Sequence, residues 1–120
     1  MNESILTSVK EYLGITEDYT HFDRQIASDI NTCFSILEQV GAGPSGGFSI
    51  TIVEGTSSET WNDYSDDENL VGFVREYIEK MVRIMFDPPS SSFVLDSMKR
   101  ITDELLWRIN VYVDPYKLNG

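Results

Sequence analysis

Residues 65–89 read SDDENLVGFVREYIEKMVRIMFDPP, and this stretch predicts a long helix at the centre of the fold. Ser65 followed by Glu68 resembles a capping box, and acids in a first turn favour the helix dipole. Apolar residues then recur in two adjacent stripes, which indicates a wide buried face with neighbours on two sides. Asp87 and two prolines end the pattern, so we predict a helix over 66–87. The stripes are Leu70, Val74, Tyr77, Met81, Ile84 and Met85, and beside them Val71, Ile78, Val82 and Phe86.

Three further helices are predicted on either side of the central one. Apolar spacing and Gly14 indicate a helix over 4–13, and a second over 20–40 starts at Thr20, which forms a capping box with Asp23. A serine cap after the prolines predicts a fourth over 91–112. The sequence therefore predicts an all-α fold, a small bundle of about four helices in a single domain, 1–120. The core stripe predicted for the fourth helix is Val94, Met98, Ile101, Leu105, Ile109 and Tyr112.

The segment 41–64, between the second and third helices, is predicted to be irregular. It opens with a Gly-rich loop over 41–47, which breaks the helix. Phe48, Ile50 and Ile52 then alternate with other residues, which predicts a short strand or an extended arm. Trp61 and Tyr64 fit a single helical turn. The tail, 113–120, follows the last helix.

The charge of the chain is strongly acidic and unevenly distributed. Its 120 residues hold 9 Lys and Arg against 20 Asp and Glu, a formal net charge of -11. No Lys or Arg occurs from Gln25 to Val74, and this stretch contains eight of the acids. The balance argues against a protein that grips nucleic acid phosphates. The acids fit either a solvated loop, or a surface that faces something basic or that must not hold DNA. The candidates for that surface are Glu59, Asp63, Asp66, Asp67 and Glu68.

Residues that could carry chemistry are few. Cys33 is the only cysteine and lies on an apolar stripe, which indicates a buried core residue in a reducing compartment. His21 is the only histidine and has no companion ligand for a metal. Residues 41–46 match the dinucleotide fingerprint as a string, but they follow a helix rather than a strand. We therefore expect no catalytic site, no cofactor and no metal, and we also expect no signal peptide and no membrane span.

Trp107 is the most informative single residue. At about 100° per residue it lies opposite the predicted core stripe of the fourth helix, among polar neighbours. Exposing a tryptophan side chain to solvent at that position is energetically unfavourable. Two explanations remain open: the segment 48–53 folds over it, or it lies in an oligomer or partner interface, where tryptophan is enriched.

Four segments, in order along the chain, together resemble a known family. They are 5–15 with 22–26 (ILTSVKEYLGI and FDRQI), 39–48 (QVGAGPSGGF), 77–93 (YIEKMVRIMFDPPSSSF) and 104–111 (ELLWRINV). The most specific parts are Asp-Pro-Pro-x-Ser-Ser-Phe and Glu-x-x-Trp-Arg-x-Asn. With these motifs the chain resembles the small head–tail connector proteins, also called adaptors, of tailed phages and prophages. The stretch 54–68 matches nothing in that pattern.

The resemblance implies a structural virion protein and no enzymatic activity. Such a subunit joins a ring of its own copies, dodecameric in the virion, below the portal protein. It bridges the portal to the next neck, stopper or tail protein, and DNA passes through without specific binding. The expected location is the virion neck, and the host cytoplasm during assembly. The interface candidates are Trp107, Phe48, Ile50, Ile52, Tyr112, Tyr116 and Leu118.

Two other classes stay open at this point. An acidic inhibitor or DNA mimic would present carboxylates to a basic partner, as a monomer or dimer. A small enzyme would need a pocket with perturbed carboxylates, and the sequence offers no candidate pair.

Overall fold

The computed structural model describes residues 3–114 and shows an all-α bundle, as the sequence predicts. Within that range there is no β-strand, and only two isolated β-bridges occur, Ser4 with Thr60 and Val53 with Thr56. The predicted helices begin and end within three residues of the observed ones, and a short fifth helix lies in the middle segment. The helices are α1 (Ile5–Leu13), α2 (Asp23–Gln39), α3 (Trp61–Tyr64), α4 (Glu68–Phe86) and α5 (Ser92–Val113).

Helix α4 is central, because it packs against α1, α2 and α5. Its residues Val74, Ile78 and Val82 are fully buried, which fits the wide apolar face seen in the sequence. The capping box predicted at Ser65 and Glu68 is wrong. Ser65 still belongs to the preceding turn, since its N–H donates to the carbonyl of Trp61.

The N-cap of α4 is Asp67 instead. Its carboxylate accepts hydrogen bonds from the backbone N–H groups of Asn69 and Leu70, at 3.1 and 3.2 Å. These bonds satisfy two donors that have no partner inside the helix.

The start of α2 also differs from the prediction. The helix begins at Asp23 rather than Thr20, and its N-cap Phe22 makes no side-chain capping bond. The Asp23 carboxylate lies 2.9 Å from the ammonium group of Lys10, and both side chains are buried. Lys10 also donates to the carbonyl of Glu17 at 3.0 Å. A buried lysine needs a close carboxylate, so Asp23 pairs across to α1 instead of closing a capping box.

The single turn predicted for Trp61 and Tyr64 is confirmed as α3. It begins with a true capping box, in which Thr60 and Asp63 bond each other's backbone N–H. Trp61 is fully buried, and its indole N–H donates to the hydroxyl of Ser8 at 2.9 Å. The guanidinium of Arg75 lies 5.9 Å from the centre of its ring. Helix α3 therefore anchors the irregular segment to α1 and α4.

Candidate interaction surface

Helix α5 is held to the bundle along one side. Ile109 and Thr102 are its two buried residues, and the rest of the helix is half-buried or exposed. Ser91 caps its first turn by accepting from the N–H of Val94. Near its end, the Asn110 amide donates to the carbonyl of Val40 at 3.0 Å, which ties α5 to the end of α2.

The rest of α5 exposes four large apolar side chains. Phe93 is 76% exposed, Val94 45%, Ile101 44% and Trp107 62%. Residues seven apart lie on one side of a helix, so Phe93 aligns with Trp107 in one row, and Val94 aligns with Ile101 in a second row about 100° around the helix. Arg100 and Arg108 occupy the two remaining positions of these rows. We call these six residues the α5 outer face.

Three predictions about α5 are wrong. Val94, Ile101 and Tyr112 were expected in the core, yet each is more than a third exposed. The helix is turned so that Thr102 and Ile109, rather than Ile101, point at α4. The idea that residues 48–53 cover Trp107 fails as well, since Trp107 is largely exposed.

Phe93 is a surface residue that was not among the predicted interface candidates. The signal was present, because Phe93 lies two heptads before Trp107 with Arg100 between them. A row that holds arginine in its middle is a poor candidate for a core.

The candidates on the arm lie mostly inside the bundle. Ile50 is 2% exposed, so it is a core residue and not an interface residue. Its backbone N–H donates to the Asn31 side chain at 2.8 Å, and its carbonyl accepts from the same side chain at 3.0 Å. Asn31 thus bonds the backbone groups of Ile50 that a neighbouring strand would bond in a sheet. Residues 48–53 form no strand, so of the two predicted alternatives, a short strand or an extended arm, the strand is wrong. Phe48 packs against the rings of Phe34 and Tyr64, with centroids 5.0 and 5.3 Å away, and Ile52 is half-buried.

Tyr112 lies at the C-terminal end of α5 and binds within its own chain. Its hydroxyl donates to the Asp67 carboxylate, with oxygen distances of 2.9 and 3.1 Å. This bond raises the pKa of Tyr112 above its ordinary value. The other tail candidates, Tyr116 and Leu118, lie outside the described residues.

Three of the five acidic candidates are engaged in local hydrogen bonds. Asp63 and Asp67 cap helices, as described above. Glu59 accepts from the backbone and hydroxyl of Thr51 and from the hydroxyl of Ser57. Partial burial of Glu59 opposes its ionisation, but these bonds outweigh it and lower its pKa. Asp66 and Glu68 are exposed.

Among residues 3–114, no arrangement typical of catalysis or metal binding stands out. Cys33 is buried, and burial together with the nearby negative charge of Asp29 raises its pKa to about 12, which leaves it a thiol. In the part of the chain that the structure describes, no three His, Cys, Asp or Glu side chains converge as metal ligands. Over the same range, no helix combines the length and apolarity that a bilayer crossing requires.

The described surface is thus that of a helical subunit with an unpartnered apolar face. No curated protein and no solved structure matches the chain. A family profile does match, over residues 5–116, and its description is phage connector protein. That span covers all five helices and most of the chain, and it agrees with the four motifs in the sequence. The chain belongs to the phage connector protein family.

Proposed function

We propose that this connector is a structural, non-catalytic protein of the virion neck that assembles into a ring, dodecameric in the virion, below the portal. The ring bridges the portal protein to the next neck, stopper or tail protein and leaves a passage for DNA. Subunits reach the neck from the host cytoplasm during assembly.

The observation that carries this proposal is the α5 outer face. A soluble subunit that worked alone would have little reason to expose Phe93 and Trp107 on one side of its longest helix. Aromatic side chains in that position supply the hot spots of protein interfaces, and tryptophan and arginine are the residues most enriched there. A ring gives every copy a neighbour against which this face is buried.

The charge of the chain supports the DNA passage. A net charge of -11 repels phosphates, so DNA slides past the subunits without adhering to them. Four of the five candidate acids are exposed, and of these Asp63 and Asp67 are engaged in helix caps. We therefore assign Asp66 and Glu68 to the channel or to a partner-facing surface.

The same acids do not favour a DNA mimic or acidic inhibitor. A mimic needs carboxylates free to meet a basic cleft, whereas Glu59, Asp63 and Asp67 accept hydrogen bonds from their own chain. No observation therefore raises that function to a second candidate.

Measurement of the solution mass together with negative-stain electron microscopy tests the proposal. Purified protein is examined alone and after mixing with portal rings of the same phage. We expect rings, or extra ring-shaped density on one end of the portal. A chain that stays monomeric, ignores the portal and binds a basic protein tightly at low salt would contradict the proposal.

The tail, 113–120, provides a second test of the portal contact. We propose that Tyr116 and Leu118 dock on the portal or on an adjacent subunit. Deletion of the residues after Asp114 should then reduce attachment to portal rings. Unchanged attachment, with heads that still take tails, would remove the tail from the mechanism.

A further inference from the structure

A small polar cavity lies where α1, the start of α2 and the turn over residues 53–57 meet. Its volume is about 180 Å³, and Gly55 and two neighbours in the turn form one of its walls. We call it the polar chamber. Its polar lining side chains are Lys10, Asp23, Ser4, Thr7, Thr56 and Ser57.

The polar chamber borders the buried ion pair that joins α1 to α2. The side chains of Lys10 and Asp23 are only 3% and 7% exposed, and the ammonium nitrogen lies 2.9 Å from Oδ1 of Asp23. Lys10 also donates a hydrogen bond to the carbonyl of Glu17 at 3.0 Å, which leaves further protons of its ammonium group for other acceptors.

The carboxylate of Asp23 is less well supplied with hydrogen bonds. Its Oδ1 atom is buried, and within residues 3–114 no group donates a hydrogen bond to it, because the ammonium group of Lys10 approaches as an ion pair without hydrogen-bond geometry. A buried ion pair is costly unless its remaining lone pairs and protons are also satisfied. The pair therefore needs further polar partners, and the polar chamber is the space beside it that can hold them.

The walls of the polar chamber favour a small neutral molecule. A cation there would be repelled by the ammonium group of Lys10, and an anion by the carboxylate of Asp23. A molecule that both donates and accepts hydrogen bonds suits the two groups and the surrounding hydroxyls. Water does both and takes up about 30 Å³ in the liquid, so the chamber has room for several water molecules with several polar partners each.

We propose that ordered water molecules fill the polar chamber and hydrogen-bond to the buried pair of Lys10 and Asp23, and that the 53–57 turn is the lid of this chamber. The water molecules supply part of the hydration that the two charges lose on folding. The chain can then keep a charged link between α1 and α2 inside the bundle.

The construction of the turn supports its assignment as a lid. Val53 and Thr56 each donate a backbone hydrogen bond to the other, at 2.8 and 3.0 Å. Glu54 and Gly55 between them both have positive φ, 53° and 80°, as the tightest hairpin turns require. The hydroxyl of Ser4 donates to the carbonyl of Ser57 at 3.2 Å, so the turn is fastened at the start of α1. Opening the turn would remove one wall of the chamber.

Crystals of the full chain grown with rubidium bromide test the occupant. We expect electron density for water within hydrogen-bond distance of Asp23 and Lys10, and no anomalous signal in the polar chamber. An anomalous peak from rubidium or bromide would show an ion site instead and overturn the inference. A chamber without density, in crystals that show ordered water elsewhere in the interior, would overturn it as well.

A double variant tests whether the ion pair holds the water. Lys10→Met with Asp23→Leu removes both charges and keeps apolar side chains of similar volume in their place. Thermal unfolding first checks that the variant is folded. Its crystals should show no ordered water beside residues 10 and 23. The same water molecules at the same positions would mean that the ion pair does not hold them.

A matched pair of glycine variants tests the lid, and it does not depend on the folding of the double variant. Gly55→Val strains the turn, and Gly46→Val places the same strain in the Gly-rich loop, outside the chamber. Both glycines have positive φ, and a Cβ atom at either one meets open space.

The readout is the rate at which the ammonium protons of Lys10 exchange with solvent, measured by NMR on protein with labelled lysine. Gly55→Val should speed this exchange several-fold, because the chamber then opens to bulk water. Gly46→Val should leave the rate at the wild-type value. Equal rates in the two variants would show that the 53–57 turn is not a lid.

Discussion

Trp61 and Trp107, the two tryptophans of the chain, differ in how the bundle uses them. Trp61 lies on the four-residue α3, is fully buried and bonds Ser8, with Arg75 near its ring. Trp107 lies on the longest helix and is 62% exposed. The length of the helix that carries each tryptophan therefore does not determine whether its side chain is buried. A short turn supplies a core anchor, and a long, regular helix supplies a surface for another molecule.

The largest expected effect is on the buried tryptophan. Trp61→Ala should lower the free energy of unfolding by about 3–5 kcal/mol, since it leaves a large cavity between α1 and α4. Urea denaturation of the monomer measures it. Trp107→Ala in the same experiment should change stability by no more than about 0.5 kcal/mol, because few contacts are lost. If the two variants lost equal free energy of unfolding, the two tryptophans would not differ in their contribution to the fold.

For assembly we expect Trp107 to matter more than Trp61. Trp107→Ala should weaken the subunit contact by about 2 kcal/mol or more, a value typical of a hot-spot tryptophan. The measurement is the concentration at which rings dissociate, and Lys99→Ala on another side of α5 is its control. The interface role of Trp107 is wrong if the substitution melts the monomer and leaves the rings intact.

A smaller effect should follow from the hydrogen bond beneath Trp61. Ser8→Ala removes the acceptor of the indole N–H and leaves a buried donor unpaired, which should cost about 1–2 kcal/mol of stability. Thr7→Ala, one residue away on α1 and half-buried, is the matched control. If Ser8→Ala and Thr7→Ala unfold at the same urea concentration, packing alone holds Trp61.

The smallest expected effect concerns the hydrogen bond from Tyr112, near the end of α5, to the carboxylate of Asp67. The pKa of Asp67 lies below its ordinary value because the Leu70 N–H and then the Tyr112 hydroxyl donate to it. Tyr112→Phe should move that pKa part of the way back up, as measured by NMR titration of the carboxyl group. Tyr12→Phe, another exposed tyrosine, should leave it unchanged.

The sign of the pH effect follows from the direction of that shift. A carboxyl group whose folded pKa is lowered adds stability above its unfolded pKa, about 3.9, and loses that contribution as the pH falls through the folded value. Tyr112→Phe should therefore reduce this acid-sensitive contribution without abolishing it, because Leu70 still donates. An Asp67 pKa that does not move would mean that the hydroxyl contributes nothing.

The parts of the fold that local chemistry determines were predictable from sequence. Two prolines after Asp87 separate α4 from α5, and the double apolar stripe of α4 identifies the central helix. These signals lie within one element. The family motifs likewise lie in short segments, and the family profile that matches residues 5–116 confirms the resemblance that they indicate.

The parts that depend on distant partners were not predictable in the same way. Asp23 leaves its expected cap because Lys10, thirteen positions earlier, is buried beside it. Helix α5 carries adjacent apolar rows, and only its packing on α4 decides that Ile109 turns inward while Ile101 turns outward. The arm turned inward because Asn31 satisfies the backbone of Ile50, an interaction without a sequence pattern.

The opposite surroundings of the two indoles also give the protein two separate optical reporters. Trp61 is shielded from a collisional quencher such as iodide, whereas Trp107 is open to it and emits at longer wavelength from a wet environment. Docking of α5 should blue-shift and protect only the second emitter, and unfolding should expose the first. Fluorescence of the unlabelled wild-type chain can thus follow ring growth and loss of fold as distinct events in one cuvette.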